Sequence, residues 1–177
     1  MSDLTAAPHE LDDTSALCRA VIETPRGSCD KFDYDPELQA FFLKKRLPEG
    51  MSFPLDFGFV PSTLAEDGDP LDIMVLTDDP LPVGLIVQVR LIGAIEAEQM
   101  KAGRLVRNDR LIGVSVFSRQ FSHIGHIDQM GATFVDGLSQ FWVTYNLLDG
   151  GSFRVIRTVD GTGAVKIIRD SDRTAHP

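Results

Sequence analysis

Asp67, Asp69 and Asp72 stand within six residues, in the run Asp67-Gly68-Asp69-Pro70-Leu71-Asp72. Three carboxylates this close repel one another unless a cation sits among them. On an extended chain, residues two apart share a side, so Asp67 and Asp69 can converge. Gly68 permits a tight bend, and Pro70 stiffens the approach to Asp72. Hard oxygen donors at this density suit Mg²⁺, Mn²⁺ or Ca²⁺ rather than zinc. A solvated acidic turn is the plain alternative. An EF-hand is not, because that loop needs glycine where this run has Asp72. The setting strengthens the metal reading. From Leu47 to Val89 there is no Lys or Arg, yet the stretch also carries Glu49, Asp56, Glu66, Asp78 and Asp79.

Other chemistry-bearing residues have blander readings. His123 and His126 form H-x-x-H, with no carboxylate at zincin spacing, and read as surface or interface histidines. Gly161-Thr162-Gly163 reads as a turn rather than a phosphate loop. Cys18 and Cys29 fit neither a zinc motif nor a disulfide scaffold, and read as free buried thiols in a reducing compartment. Trp142 and its neighbouring phenylalanines read as packing.

These residues need elements to hold them. Leu17 to Glu23 reads as a strand, broken by Thr24-Pro25-Arg26-Gly27. Lys31 to Tyr34 alternates charge with aromatic, a strand with both aromatics on one face. Gln39 to Leu43 is the returning strand, ending at Lys44-Lys45-Arg46. The prolines of Phe53 to Pro61 exclude a helix, and Gly58 allows close backbone approach. Leu71 to Thr77, Leu85 to Ile95, Leu105-Val106, Leu111 to Phe117 and Phe153 to Val159 are further strands. Met130, Phe134, Leu138, Phe141, Tyr145 and Leu148 recur at helical spacing, predicting one long apolar helix near 129–148 that ends at Asp149-Gly150-Gly151. A helix with so little charge must be buried in the core or against another subunit. A short helix is expected around Val165. The class is α+β, with short strands suited to a small barrel.

Size and charge bound the rest. The chain has 177 residues, 43% hydrophobic and 24% charged, with a formal net charge of −9. That is one domain, 16–177, able to bury a core, behind a mobile or loosely packed acidic arm at 1–15. Net acidity argues against nucleic acid and anionic membranes as partners. The longest apolar stretch, Gly84 to Ile95, is interrupted by Gln88 and Arg90 and cannot span a bilayer. A cytoplasmic location is expected.

Four segments then come in order: Ile22-Glu23-Thr24-Pro25, Lys31-Phe32-Asp33-Tyr34-Asp35, Phe53-Pro54-x-x-Phe57-Gly58-Phe59-Val60-Pro61 and Asp67 to Asp72. Together they resemble the soluble family I inorganic pyrophosphatases, most clearly from Ala20 to Val116. The resemblance implies an OB-like five-stranded β-barrel with flanking helices, a homo-oligomer (a hexamer in bacterial members), and Mg²⁺-dependent hydrolysis of pyrophosphate to two phosphates, with Mn²⁺ as an alternative ion. It implies that Asp67 and Asp72 hold metal, with Glu23 and Asp33 at the rim, and that Asp69 takes the proton of the attacking water. Lys31, Lys45, Arg110 and Tyr145 would bind phosphate, with Arg46 a rival for the role of Lys45.

The resemblance also breaks at particular residues. Aligned through Leu111 to Val114, two further aspartate positions become Gly103 and Asn108, and a lysine becomes Arg110. Asp109 could substitute only by a one-residue register shift, which would turn its side chain to the opposite face. Phe57 stands for a tyrosine and Asn146 for a lysine. These losses leave open a non-catalytic paralogue or one retargeted to another phosphoanhydride.

Overall fold

The computed structural model describes residues 3–173. Nine strands and two α-helices follow in chain order. They are β1 (Leu17–Thr24), β2 (Asp30–Asp35), β3 (Ala40–Arg46), β4 (Asp56–Val60), β5 (Leu71–Leu76), β6 (Ile86–Lys101), β7 (Arg104–Arg107), β8 (Arg110–Ser115), α1 (Ala132–Leu148), β9 (Phe153–Asp160) and α2 (Gly161–Asp170). The class is α+β, as expected.

Strand pairing runs in a circuit. β1 pairs β4, β4 pairs β5, β5 pairs β8 in parallel, β8 pairs β6, and β6 returns to β1. These five strands make the OB-like barrel. β6 continues past it to pair with β9 and β7, while β2 and β3 form a separate hairpin. Gly58 sits where β4 crosses β1, and a Cβ there would overlap the carbonyl oxygen of Val21. The close approach expected of this glycine is therefore a condition of the pairing.

Alternation in β5 builds two cores. Leu71, Ile73 and Val75 pack with Ile22, Leu91, Leu111 and the α2 residues Val165 and Ile168. Met74 and Leu76, on the other face, pack with Phe57, Ile112, Leu138 and Trp142. Both faces are covered, so β5 reads as one continuous apolar run.

Some expectations change. The helix starts at Ala132 and buries only Val135, Leu138 and Trp142 completely, while Phe134, Leu147 and Leu148 are exposed. The charge-poor sequence of α1, with Asp136 its only charged residue, is thus one-sided within this chain. The basic run Lys44-Lys45-Arg46 lies inside β3, not beyond it. Within the segment expected as a mobile or loosely packed arm, described residues touch the domain: Ser62 N–H donates to Thr5 O at 2.7 Å, Arg19 N–H to His9 O at 2.7 Å, and Leu11 packs on the barrel core. Cys18 is buried but Cys29 is exposed, so only one of the two thiols is enclosed. His123 and His126 are exposed, and His126 Nδ1 caps a short 3₁₀ turn. Gly161 to Gly163 open α2, with the Asp160 carboxylate accepting from Gly163 N–H. No helix among the described residues is long and apolar enough to cross a membrane.

Candidate active site

One cavity of about 650 Å³ gathers every site residue expected from the sequence: Glu23, Lys31, Asp33, Lys45, Asp67, Asp69, Asp72, Arg110 and Tyr145. Its walls come from β1, the β2–β3 hairpin, the loop before β5, the start of β8 and the end of α1.

Two bulges aim side chains into it. Ile22 pairs with Gly58 and Thr24 with Phe57, so Glu23 is the extra residue on β1. On the hairpin, Lys31 pairs with Lys45 but Phe32 with Leu43, leaving Lys44 unpaired. A bulge breaks the alternation of a strand, and here it lets Lys44 and Lys45 both reach the cavity. Arg46 instead pairs with Asp30 and lies outside it, which separates the two rivals by geometry.

The carboxylates have distinct environments. Burial pushes the Glu23 carboxyl up to about 8, against the pull of Lys31; its Oε1 accepts from Tyr34 N–H at 2.9 Å. Burial also raises Asp72, with Asp67 and Asp69 adding to the effect while Arg110 and Lys31 oppose it. Burial would raise Asp33 too, but Lys31 and Lys44 outweigh it and hold that carboxyl below its usual value. Lys31 Nζ lies 2.6 Å from Asp33, and Asp33, Tyr145 and Asp72 keep it more basic than usual despite burial.

Protein cations stand on the aspartate trio. Arg110 pairs with Asp72 across the parallel β5–β8 register and also reaches Asn108. Its guanidinium lies 4.4 Å from the Trp142 ring centroid, and its buried Nε has no hydrogen-bond partner among the described residues. Lys101 Nζ sits 2.8 Å from Asp67 O, 3.3 Å from Asp69 Oδ2 and 3.9 Å from Asp67 Oδ2. Asn108 Nδ2 donates to Asp67 Oδ2 at 3.4 Å. In this arrangement no three acidic, His or Cys residues among those described stand together as an ion cage. The donors are nonetheless hard oxygens facing one polar cavity, and the mutual repulsion felt by Asp72 is what a divalent cation relieves. Their chemistry fits Mg²⁺ or Mn²⁺.

Asp109 takes no part. It faces the other way, accepting from Ala97 N–H at 2.9 Å and from Arg107 at 2.9 and 3.0 Å. Gly103 lies on the β6–β7 turn with a positive φ, outside the cavity, while Gln99 and Lys101 of β6 line it. The sequence reading missed both residues. The signal was the long alternating strand, read as ending at Ile95 when it runs six residues further. Phe57 packs against Trp142, with Lys31 Nζ 5.8 Å from its ring centroid. Asn146 turns back on its own helix to donate to Trp142 O at 2.8 Å. Lys45 Nζ lies 3.9 Å from the Tyr145 ring centroid and 2.7 Å from Asp149.

A family model described as inorganic pyrophosphatase matches residues 20–176. This chain belongs to that family. An inorganic pyrophosphatase of Thermus thermophilus is 40% identical over 149 residues, covering 84% of this chain and 82% of that protein. One from Synechocystis sp. is 31% identical over 147 residues, covering 83% of each. The solved structure of an inorganic pyrophosphatase from Thermus thermophilus superposes with a TM-score of 0.88 at 34% identity, covering 98% of both chains.

Proposed function

We propose that this chain is an inorganic diphosphatase that hydrolyses pyrophosphate to two phosphates with Mg²⁺, or Mn²⁺ in its place. The observation that carries this reading is the cavity that Glu23, Asp33, Asp67, Asp69 and Asp72 line together with Lys31, Lys45, Arg110 and Tyr145. Asp67 and Asp72 would hold the metal, with Glu23 and Asp33 as further oxygen donors on the same cavity wall. When bound, the metal neutralises diphosphate oxygens and makes a water acidic enough to attack near neutral pH. Asp69 accepts that water's proton; its side chain is 72% exposed, so it is open to the cavity mouth. Lys31 and Lys45 hold phosphate oxygens by charge, and the Tyr145 hydroxyl donates a hydrogen bond. Arg110 adds a guanidinium to the same cradle. Phe57 contributes no donor and keeps water from the inner wall.

Membership of the family supports this reading, as does a polar cavity with both signs of charge. The free thiols and acidic surface suit a cytoplasmic setting. Exposed Phe117, Leu147 and Leu148 suit assembly with further copies of the chain.

The test is phosphate release from pyrophosphate. The intact protein should need Mg²⁺, and Asp69→Asn should lower kcat by about 10²- to 10⁴-fold, the range for losing a general base. Absence of Mg²⁺-dependent release between about pH 6 and 9 would overturn the reading.

A further inference from the structure

Lys101 is a cavity cation that the proposed mechanism leaves unused. It ends β6, next to the turn into β7, and reaches back across the cavity mouth to Asp67 and Asp69. Arg110 does the same from below, on Asp72. Each member of the aspartate trio therefore already has a positive partner supplied by the chain. A lysine and a divalent ion cannot share one carboxylate oxygen at bonding distance, because like charges that close repel strongly.

We propose that Lys101 and Arg110 are resident counter-cations of the metal-free centre, and that divalent ions load by exchanging for them, with Lys101 the first to leave. The inference rests on the diphosphatase reading for the identity of the metal ligands.

The order follows from the surroundings. Lys101 is 45% exposed on a four-carbon stem, so it can swing into water at little cost. Arg110 is buried and stacked on Trp142 and Phe153. Its Nε has no partner among the described residues, so its present pose leaves one donor unsatisfied. Release from Asp72 would let the guanidinium turn toward an incoming oxyanion. Loading would then convert both side chains from carboxylate partners to cations facing the substrate. Lys101 sets how tightly metal binds, because the ion must outcompete it.

Trp142 is the only tryptophan and reports on Arg110. Metal-free, full-length protein is titrated with Mg²⁺ alone, by calorimetry and by Trp142 emission. Lys101→Gln should tighten Mg²⁺ binding by about three- to tenfold at low salt, with a smaller gain at high salt. Arg104→Gln removes the same charge from the same hairpin, outside the cavity, and should change affinity much less. Trp142 emission should shift with the calorimetric midpoint in both wild type and Lys101→Gln. Unchanged or weaker binding in Lys101→Gln overturns the exchange, as does an equal gain in Arg104→Gln. Emission that stays flat through saturation overturns the part given to Arg110. If wild type still hydrolyses pyrophosphate with Mg²⁺ in those cases, the exchange alone has failed. Absence of any Mg²⁺ binding in either protein overturns both the exchange and the function it rests on.

Discussion

Glu23 sits on the cavity wall with its carboxyl held far from the ordinary carboxylate range. Its folded-state value of about 8 lies above the ordinary 4.5, with burial as the main cause. Stability from the neutral, buried form is complete below about pH 4.5 and is lost as pH rises through 8. With chelator present, Glu23→Gln should therefore melt close to wild type near pH 5 and increasingly above it toward pH 9. A constant difference across that range would sink this account. The two thiols differ in the same way. Burial pushes the Cys18 thiol up to about 12, while Cys29 is exposed. Native protein should react with one equivalent of an alkylating reagent at Cys29, and Cys18 should react only on unfolding; mass spectrometry with and without denaturant reads this directly.

At the scale of elements, the bulges matter most. Strand positions for Glu23, Lys31 and Asp33 were legible because alternation and turn residues mark strands. The extra residue in β1 and the unpaired Lys44 in β3 were not, since register depends on the partner strand. Nor was the true length of β6, whose last residues are polar and gain their order by pairing with β7 and β9. Two substitutions test the packing. Gly58→Ala puts a Cβ onto the Val21 carbonyl and should cost about 3 kcal/mol or more, or abolish folding, as read by urea unfolding. Leu138→Ala, on the buried face of α1, should cost about 2–5 kcal/mol by the same measurement. A loss under about 1 kcal/mol at either site would contradict the contacts described.

For the whole molecule, exposed apolar side chains bear on assembly. Phe117 is 81% exposed and Leu147 67% exposed, large apolar groups that a second copy of the chain would remove from water. Sedimentation at micromolar concentration should give a mass several times that of one chain. A single-chain mass under those conditions would remove the proposed oligomer without touching the cavity. The sequence anticipated the Leu147 part of this surface through the charge-poor α1, but it could not say which face of that helix the chain itself would cover.

Taken alone, the order of residues determined the class, most strand positions, the terminal helix and the grouping of the aspartate trio that lines the cavity. Those depend on local pattern: alternation, helical spacing, prolines, and charge density within a few residues. Tertiary structure decided that Asn108 rather than Asp109 faces the cavity, that Gln99 and Lys101 reach it, and that Arg110 rests on Asp72. Each of those facts depends on which strand lies alongside which, and in what register. Long-range pairing sets that register, and no window of neighbouring residues contains it.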